Sequence, residues 1–164
     1  MKTAIVYYSM SGNTKMVAEI IAKEKELSAD LIEIKPVKDY PDKGARKFIW
    51  GGMKAVMGEK PQLNPYEFNG DYDRIIFATP VWASSFTPPI RTFIDENRAA
   101  LKGKRFAVCV CYAGGGAEKA IDKLAKFLGI EHFDAQLILV DPKDQPSQEN
   151  EEKIQAFCGK LNQA

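Results

Sequence analysis

Two hydrophobic rhythms alternate along this chain. Residues 2–8, KTAIVYY, form an apolar run rich in β-branched and aromatic side chains, which predicts a strand buried on both faces. From Asn13 to about Lys25 the apolar positions Met16, Val17, Ile20 and Ile21 recur at helical spacing. The segment ADLIEIKP then alternates and stops at Pro36, as a short strand does. The cycle repeats: YDRIIFATP predicts a strand, PPIRTFIDENRAAL a helix with prolines in its first turn, and KRFAVCVCY a strand. GAEKAIDKLAKFLG reads as a helix closed by Gly129, FDAQLILVD as a strand, and SQENEEKIQAFCGKL as a last helix capped by Ser147. Five strands separated by helices predict an α/β class with a doubly wound parallel sheet covered on both faces. In such sheets a ligand sits beyond the carboxyl ends of the strands, so the loops after the first, third and fourth strands are the places to examine.

One region breaks the cycle. The connection from Pro36 to about Gly70 is long, and its part from Ala45 to Lys60 can form a helix with Phe48, Ile49, Met53, Val56 and Met57 on one side and Lys47 and Lys54 on another. Gly51-Gly52 weakens that helix at its centre. The segment is expected to be the second helix of the fold, or a surface bearing Trp50 that covers the ligand edge or meets a partner.

Composition narrows the picture further. A chain of 164 residues with 45% hydrophobic content fills one core, which predicts a single domain over residues 1–164. Lys plus Arg number 23 against 22 for Asp plus Glu, a balance that argues against binding nucleic acid through counterion release. The apolar runs are too short to span a bilayer, and the chain opens directly into a strand, so no membrane insertion and a cytoplasmic location are expected. Cys109 and Cys111 alternate within one strand and should share a face as small buried hydrophobes, with Cys158 alone in the last helix. His132, the only histidine, precedes a strand at the end away from the ligand edge. A G-x-S-x-G elbow is missing and C-x-C stands without further ligands, so no residue is assigned a catalytic or metal-binding role.

The first loop, SMSGNT, carries more hydrogen-bonding groups than a turn needs. A helix N-terminus offers unpaired N–H groups and a favourable dipole to a phosphate. The hydroxyls of Ser9, Ser11 and Thr14 and the amide of Asn13 would add donors, and Gly12 would let the backbone come close. Neither G-x-x-x-x-G-K-[ST] nor G-x-G-x-x-G is present, so a single phosphate monoester fits better than a nucleoside triphosphate or a dinucleotide. The second loop, TPVWASSFTPP, presents a tryptophan among small residues and prolines. The third, CYAGGGAEKA, has glycines that allow a planar ligand to lie against the backbone. Together at one sheet edge the three loops point to a phosphate-bearing aromatic heterocycle.

In this order, S-x-S-G-N-T after the first strand, T-P-V-W-A-S-S-F-x-P-P-I-R-T-F-I-D, then a glycine-rich fourth loop, the chain resembles the flavodoxin family over essentially its whole length. The resemblance implies a five-stranded parallel sheet of order 2-1-3-4-5 and FMN as cofactor. It assigns the phosphate to Ser9, Ser11, Gly12, Asn13 and Thr14, with Met10 in the same loop. Pro80, Val81, Trp82, Ala83, Ser84, Ser85 and Phe86 would meet the isoalloxazine and ribityl chain, with Trp82 as a stacking candidate. Tyr112, Ala113, Gly114, Gly115 and Gly116 would approach the pyrimidine side. Electron transfer between redox partner proteins is the function this implies. The second loop, with Pro88 and Pro89, is also similar to that of flavodoxin-like quinone reductases, so an FMN-dependent reductase using NAD(P)H and quinone-like small molecules stays open, as does a homodimer. A receiver-type signalling module on the same fold would need acidic residues at the end of the first strand, where YYSMSGNT has none.

Overall fold

The computed structural model describes residues 1–41 and 52–163. Five strands form one parallel sheet: β1 Thr3–Tyr7, β2 Ala29–Glu33, β3 Arg74–Pro80, β4 Arg105–Tyr112 and β5 Gln136–Val140, in the order β2-β1-β3-β4-β5. The expected class and strand order are therefore observed. The helices are α1 Asn13–Ala22, α2 Pro88–Glu96, α3 Arg98–Leu101, α4 Ala117–Leu128 and α5 Gln148–Gln163. Residues 52–56 are also helical. Residues 45–51 of the helix expected over Ala45 to Lys60, with Phe48, Ile49 and Trp50, lie outside the described residues, and residues 57–60 form a turn and coil where helix was expected.

The central strands are apolar throughout because each of their faces meets a different helix layer. Ala4 and Val6 of β1, Ile75 and Phe77 of β3, and Phe106, Val108 and Val110 of β4 join Ile90, Phe93 and Ile94 of α2 and Ile121 and Leu124 of α4. The alternate residues, Ile5 and Tyr7, Ile76 and Ala78, Ala107, Cys109 and Cys111, meet Val17, Ala18 and Ile21 of α1 and Ile154, Phe157, Cys158 and Leu161 of α5. Each large side chain removed from water in these layers contributes about 1.5–3 kcal/mol. The edge strand β2 buries mainly Ile32, with Ile34 just beyond its end. No helix among the described residues is long and apolar enough to cross a membrane.

One element differs from its sequence pattern. The run from Pro88 to Leu101 is broken at Asn97, whose φ of −114° and ψ of 15° leave the helical region. The Asn97 amide donates to Phe93 O and to the Tyr66 hydroxyl, both at 2.8 Å. A side chain that competes for helix carbonyls is the physical cause of such a break.

Candidate functional site

Strand order reverses between β1 and β3, so the loops leaving their carboxyl ends diverge and open a crevice there. Here a cleft of about 280 Å³ brings together Met10, Ser11, Asn13 and Thr14 from the first loop and helix start. Pro80, Val81, Trp82 and Ala83 line it from the second loop, and Tyr112 and Ala113 from the third.

At the first loop, Gly12 precedes α1 with φ 92°, a left-handed turn that glycine takes without steric cost. Its N–H donates to Ser9 Oγ at 3.2 Å, which closes the turn. Thr14 is 1% exposed, and its Oγ1 has no hydrogen-bond partner although it stands in the first turn of a helix that opens onto the cleft. A buried, unmatched hydroxyl is costly unless something fills its valence. The Asn13 amide, read from sequence as a further donor to a ligand, is engaged within the protein: Nδ2 donates to Ser11 Oγ at 3.2 Å and to Asp144 Oδ2 at 2.8 Å.

The second loop is a tight hairpin. Trp82 and Ser85 exchange main-chain hydrogen bonds at 2.9 and 3.0 Å, and between them Ala83 and Ser84 both have positive φ, 49° and 54°. Two left-handed central residues make a type I′ geometry, held here without glycine. The base is anchored by Val81 N–H donating to Cys111 O and by the paired hydroxyls of Thr79 and Thr87, 2.9 Å apart. Trp82 stands edge-on to Tyr8 and Tyr40, with ring centroids at 5.7 and 5.1 Å, so one side of its ring system is fixed by protein and it still lines the cleft. Burial, the negative charge of Glu59 and the neighbouring Tyr8 push the Tyr40 hydroxyl above its ordinary range, so it stays neutral at physiological pH. Ser85 and Phe86 do not reach the cleft; they are buried, and Phe86 packs against Phe127 with the Arg91 guanidinium lying over both rings.

In the third loop Tyr112 is half-buried at the cleft, while Gly114 and Gly115 face solvent. Gly116 has φ 82°, and a Cβ added to it would overlap Ser84 Oγ and lie 2.8 Å from Ser84 Cβ. This glycine is required by the second loop, not by open space for a ligand.

The sequence reading missed a fourth loop, residues 141–147 after β5. Asp141 and Asp144 line the cleft, Lys143 N–H donates to Asn13 Oδ1 at 2.8 Å, and Lys143 Nζ donates to Ser11 O at 3.1 Å. Its signal was its position, since β5 ends at the same sheet edge as the other three strands. Among the described residues no cluster of side chains suits a metal ion. His132 is exposed and away from the cleft.

Comparison with known proteins agrees with this arrangement. The chain is similar to a Lactobacillus acidophilus flavoprotein solved in complex with FMN, at 22% identity and a TM-score of 0.69, covering 87% of this chain and 95% of that one. A flavoprotein of Bacteroides eggerthii aligns at 21% identity and a TM-score of 0.74 over 96% of both chains. The two-electron reduced flavodoxin of Megasphaera elsdenii aligns at 16% identity and a TM-score of 0.60 over 99% of both. At these identities the likeness is one of fold. The family model described as flavodoxin matches residues 5–157, nearly the whole of the sheet and its helices, and the chain belongs to the flavodoxin family.

Proposed function

We propose that residues 1–164 form one FMN-binding domain that carries electrons between redox partner proteins in the cytoplasm. The observation that carries this reading is the Thr14 hydroxyl, buried and unmatched at the opening of α1. A phosphate monoester supplies the acceptor that this hydroxyl lacks, and the first N–H groups of α1 have no acceptor within their own helix. The residues present therefore fit the phosphate end of FMN. Ser11 and Thr14 would hold that end, while Val81, Trp82, Ala83, Tyr112 and Ala113 would border the flavin ring.

When bound, FMN supplies one- or two-electron transfer at its ring system. The chain's own work is to bind, orient and shield. Trp82 is held edge-on by Tyr8 and Tyr40 and so gives the ring a rigid wall. Apolar and aromatic side chains, Val81, Trp82, Ala83, Tyr112 and Ala113, border the ring position, while the Asp144 carboxylate is tied to Asn13 at the start of α1 and the Asp141 N–H donates to Tyr112 O.

Titration of apoprotein with FMN, followed by flavin fluorescence, tests the reading. Binding in the micromolar range or tighter is expected, and Thr14→Val should weaken it about tenfold through loss of a hydrogen bond to a charged group. Absence of FMN binding, or a Thr14→Val affinity equal to the parent, defeats the assignment. Mixing the loaded protein with NAD(P)H and a quinone separates the two roles: slow or no NAD(P)H oxidation is expected of a carrier, and rapid turnover moves the conclusion to a reductase.

A further inference from the structure

The loop after β5 brings a cation to the candidate phosphate site. Lys143 is anchored at both ends: its N–H donates to Asn13 Oδ1 at 2.8 Å and its ammonium to Ser11 O at 3.1 Å. The ammonium also lies close over Gly12, where an added Cβ would stand 3.1 Å from Nζ. The side chains of the phosphate loop itself, Ser9, Ser11, Asn13 and Thr14, are neutral. Among the described residues, those lining the cleft include two carboxylates, Asp141 and Asp144, and no cation. Asp144 is fixed there by the Asn13 amide at 2.8 Å. A phosphate dianion at the buried Thr14 hydroxyl would stand near the Asp144 carboxylate held by Asn13, and Lys143 is the cation that the loop after β5 brings to Ser11 and Asn13 in the same place. A main-chain carbonyl is a weaker partner for an ammonium than a dianion is. The flexible stem of lysine lets Nζ leave Ser11 O for a neighbouring phosphate without moving the main chain.

We propose that Lys143 is the electrostatic determinant by which this cleft favours a phosphorylated flavin over the unphosphorylated form. The inference rests on the FMN reading and adds to it the source of selectivity for the phosphate. Because Lys143 is exposed, its effect should be modest and sensitive to salt.

Apoprotein of the parent, Lys143→Met and Lys143→Arg is titrated with FMN and with riboflavin, at roughly 20 mM and roughly 500 mM salt. The Met variant should bind FMN about tenfold more weakly at low salt, with the gap narrowing at high salt, and should bind riboflavin like the parent. Arginine should restore most of the FMN affinity. If Lys143→Met binds FMN as the parent does at low salt, or loses FMN and riboflavin equally, the proposal is overturned while the FMN reading stands. If the parent binds both flavins equally, the proposal alone is overturned, and if it binds neither, both are.

Discussion

At Gly116 two loops of the site press together, and this single residue shows how close the packing is. A methyl group there would overlap Ser84 Oγ, and the backbone φ of 82° adds the ordinary left-handed penalty for an L-residue. Gly116→Ala should cost about 1–3 kcal/mol and displace the hairpin at Ala83-Ser84. Gly114 is the internal control, since its φ is not left-handed and an added Cβ meets nothing within 4 Å. Gly114→Ala should stay within about 0.5 kcal/mol of the parent. Urea denaturation of the two variants checks the contrast, and equal losses would sink it. In the sequence the three glycines look alike, and all read as room for a planar ligand. What separates them is a side chain from another loop, which no local pattern contains.

Among elements, the start of α1 and the loop after β5 act as one unit joined through Asn13. Its amide is donor to Asp144 and Ser11 and its carbonyl is acceptor to Lys143 N–H, so both ends of the side chain are in use. Asn13→Ala should cost about 1–2 kcal/mol, because the Lys143 N–H and the Asp144 carboxylate lose their partner together. Asn13→Asp should cost more at neutral pH, since it sets a carboxylate against Asp144. A urea midpoint for Asn13→Ala equal to the parent would show that the link carries no stability. This joint was invisible in sequence, where its partners lie 130 and 131 positions apart. The elements themselves were legible because burial writes directly into pattern: β1, β3 and β4 are apolar on both faces, α4 closes at Gly129, and Asn150 N–H donates to Ser147 Oγ as the expected cap. The break at Asn97 was not, because the apolar pattern runs on through it to Leu101, while the amide that competes for Phe93 O is held in place by the Tyr66 hydroxyl from the preceding connection.

Over the whole molecule, the layer of α1 and α5 buries all three thiols on one side of the sheet, Cys109 and Cys111 from β4 and Cys158 from α5. Burial, with the charge of Glu24, pushes the Cys158 thiol up to about 11, and its neighbour Cys111 together with burial raises Cys109. The thiolate is the reactive form, so neither access nor ionisation favours labelling of the folded protein. A disulfide reagent at pH 8 should find no fast thiol in the native state and three in denaturant, with the slow native rate reporting opening of this layer. One rapidly labelled cysteine would show that the layer under β4 is looser than its packing implies. The same shifts fix how stability depends on alkaline pH. Cys158 and Tyr66 hold their protons longer folded than unfolded, Tyr66 being pushed up to about 12 by burial and by its hydrogen bond to Glu96. A raised folded pKa stabilises fully below the unfolded value, and the gain disappears as pH rises through the folded one. Urea midpoints should therefore hold level up to about pH 8.5 and fall above about pH 9, the thiols contributing first and the phenols that burial raises, those of Tyr7, Tyr8, Tyr40, Tyr66 and Tyr72, later. Tyr66→Phe should lower the midpoint at pH 7, by losing the Glu96 and Asn97 hydrogen bonds, yet flatten the decline above pH 10. The other phenols keep part of the slope in Tyr66→Phe, and a variant whose decline matches the parent's in full would remove Tyr66 from the alkaline transition.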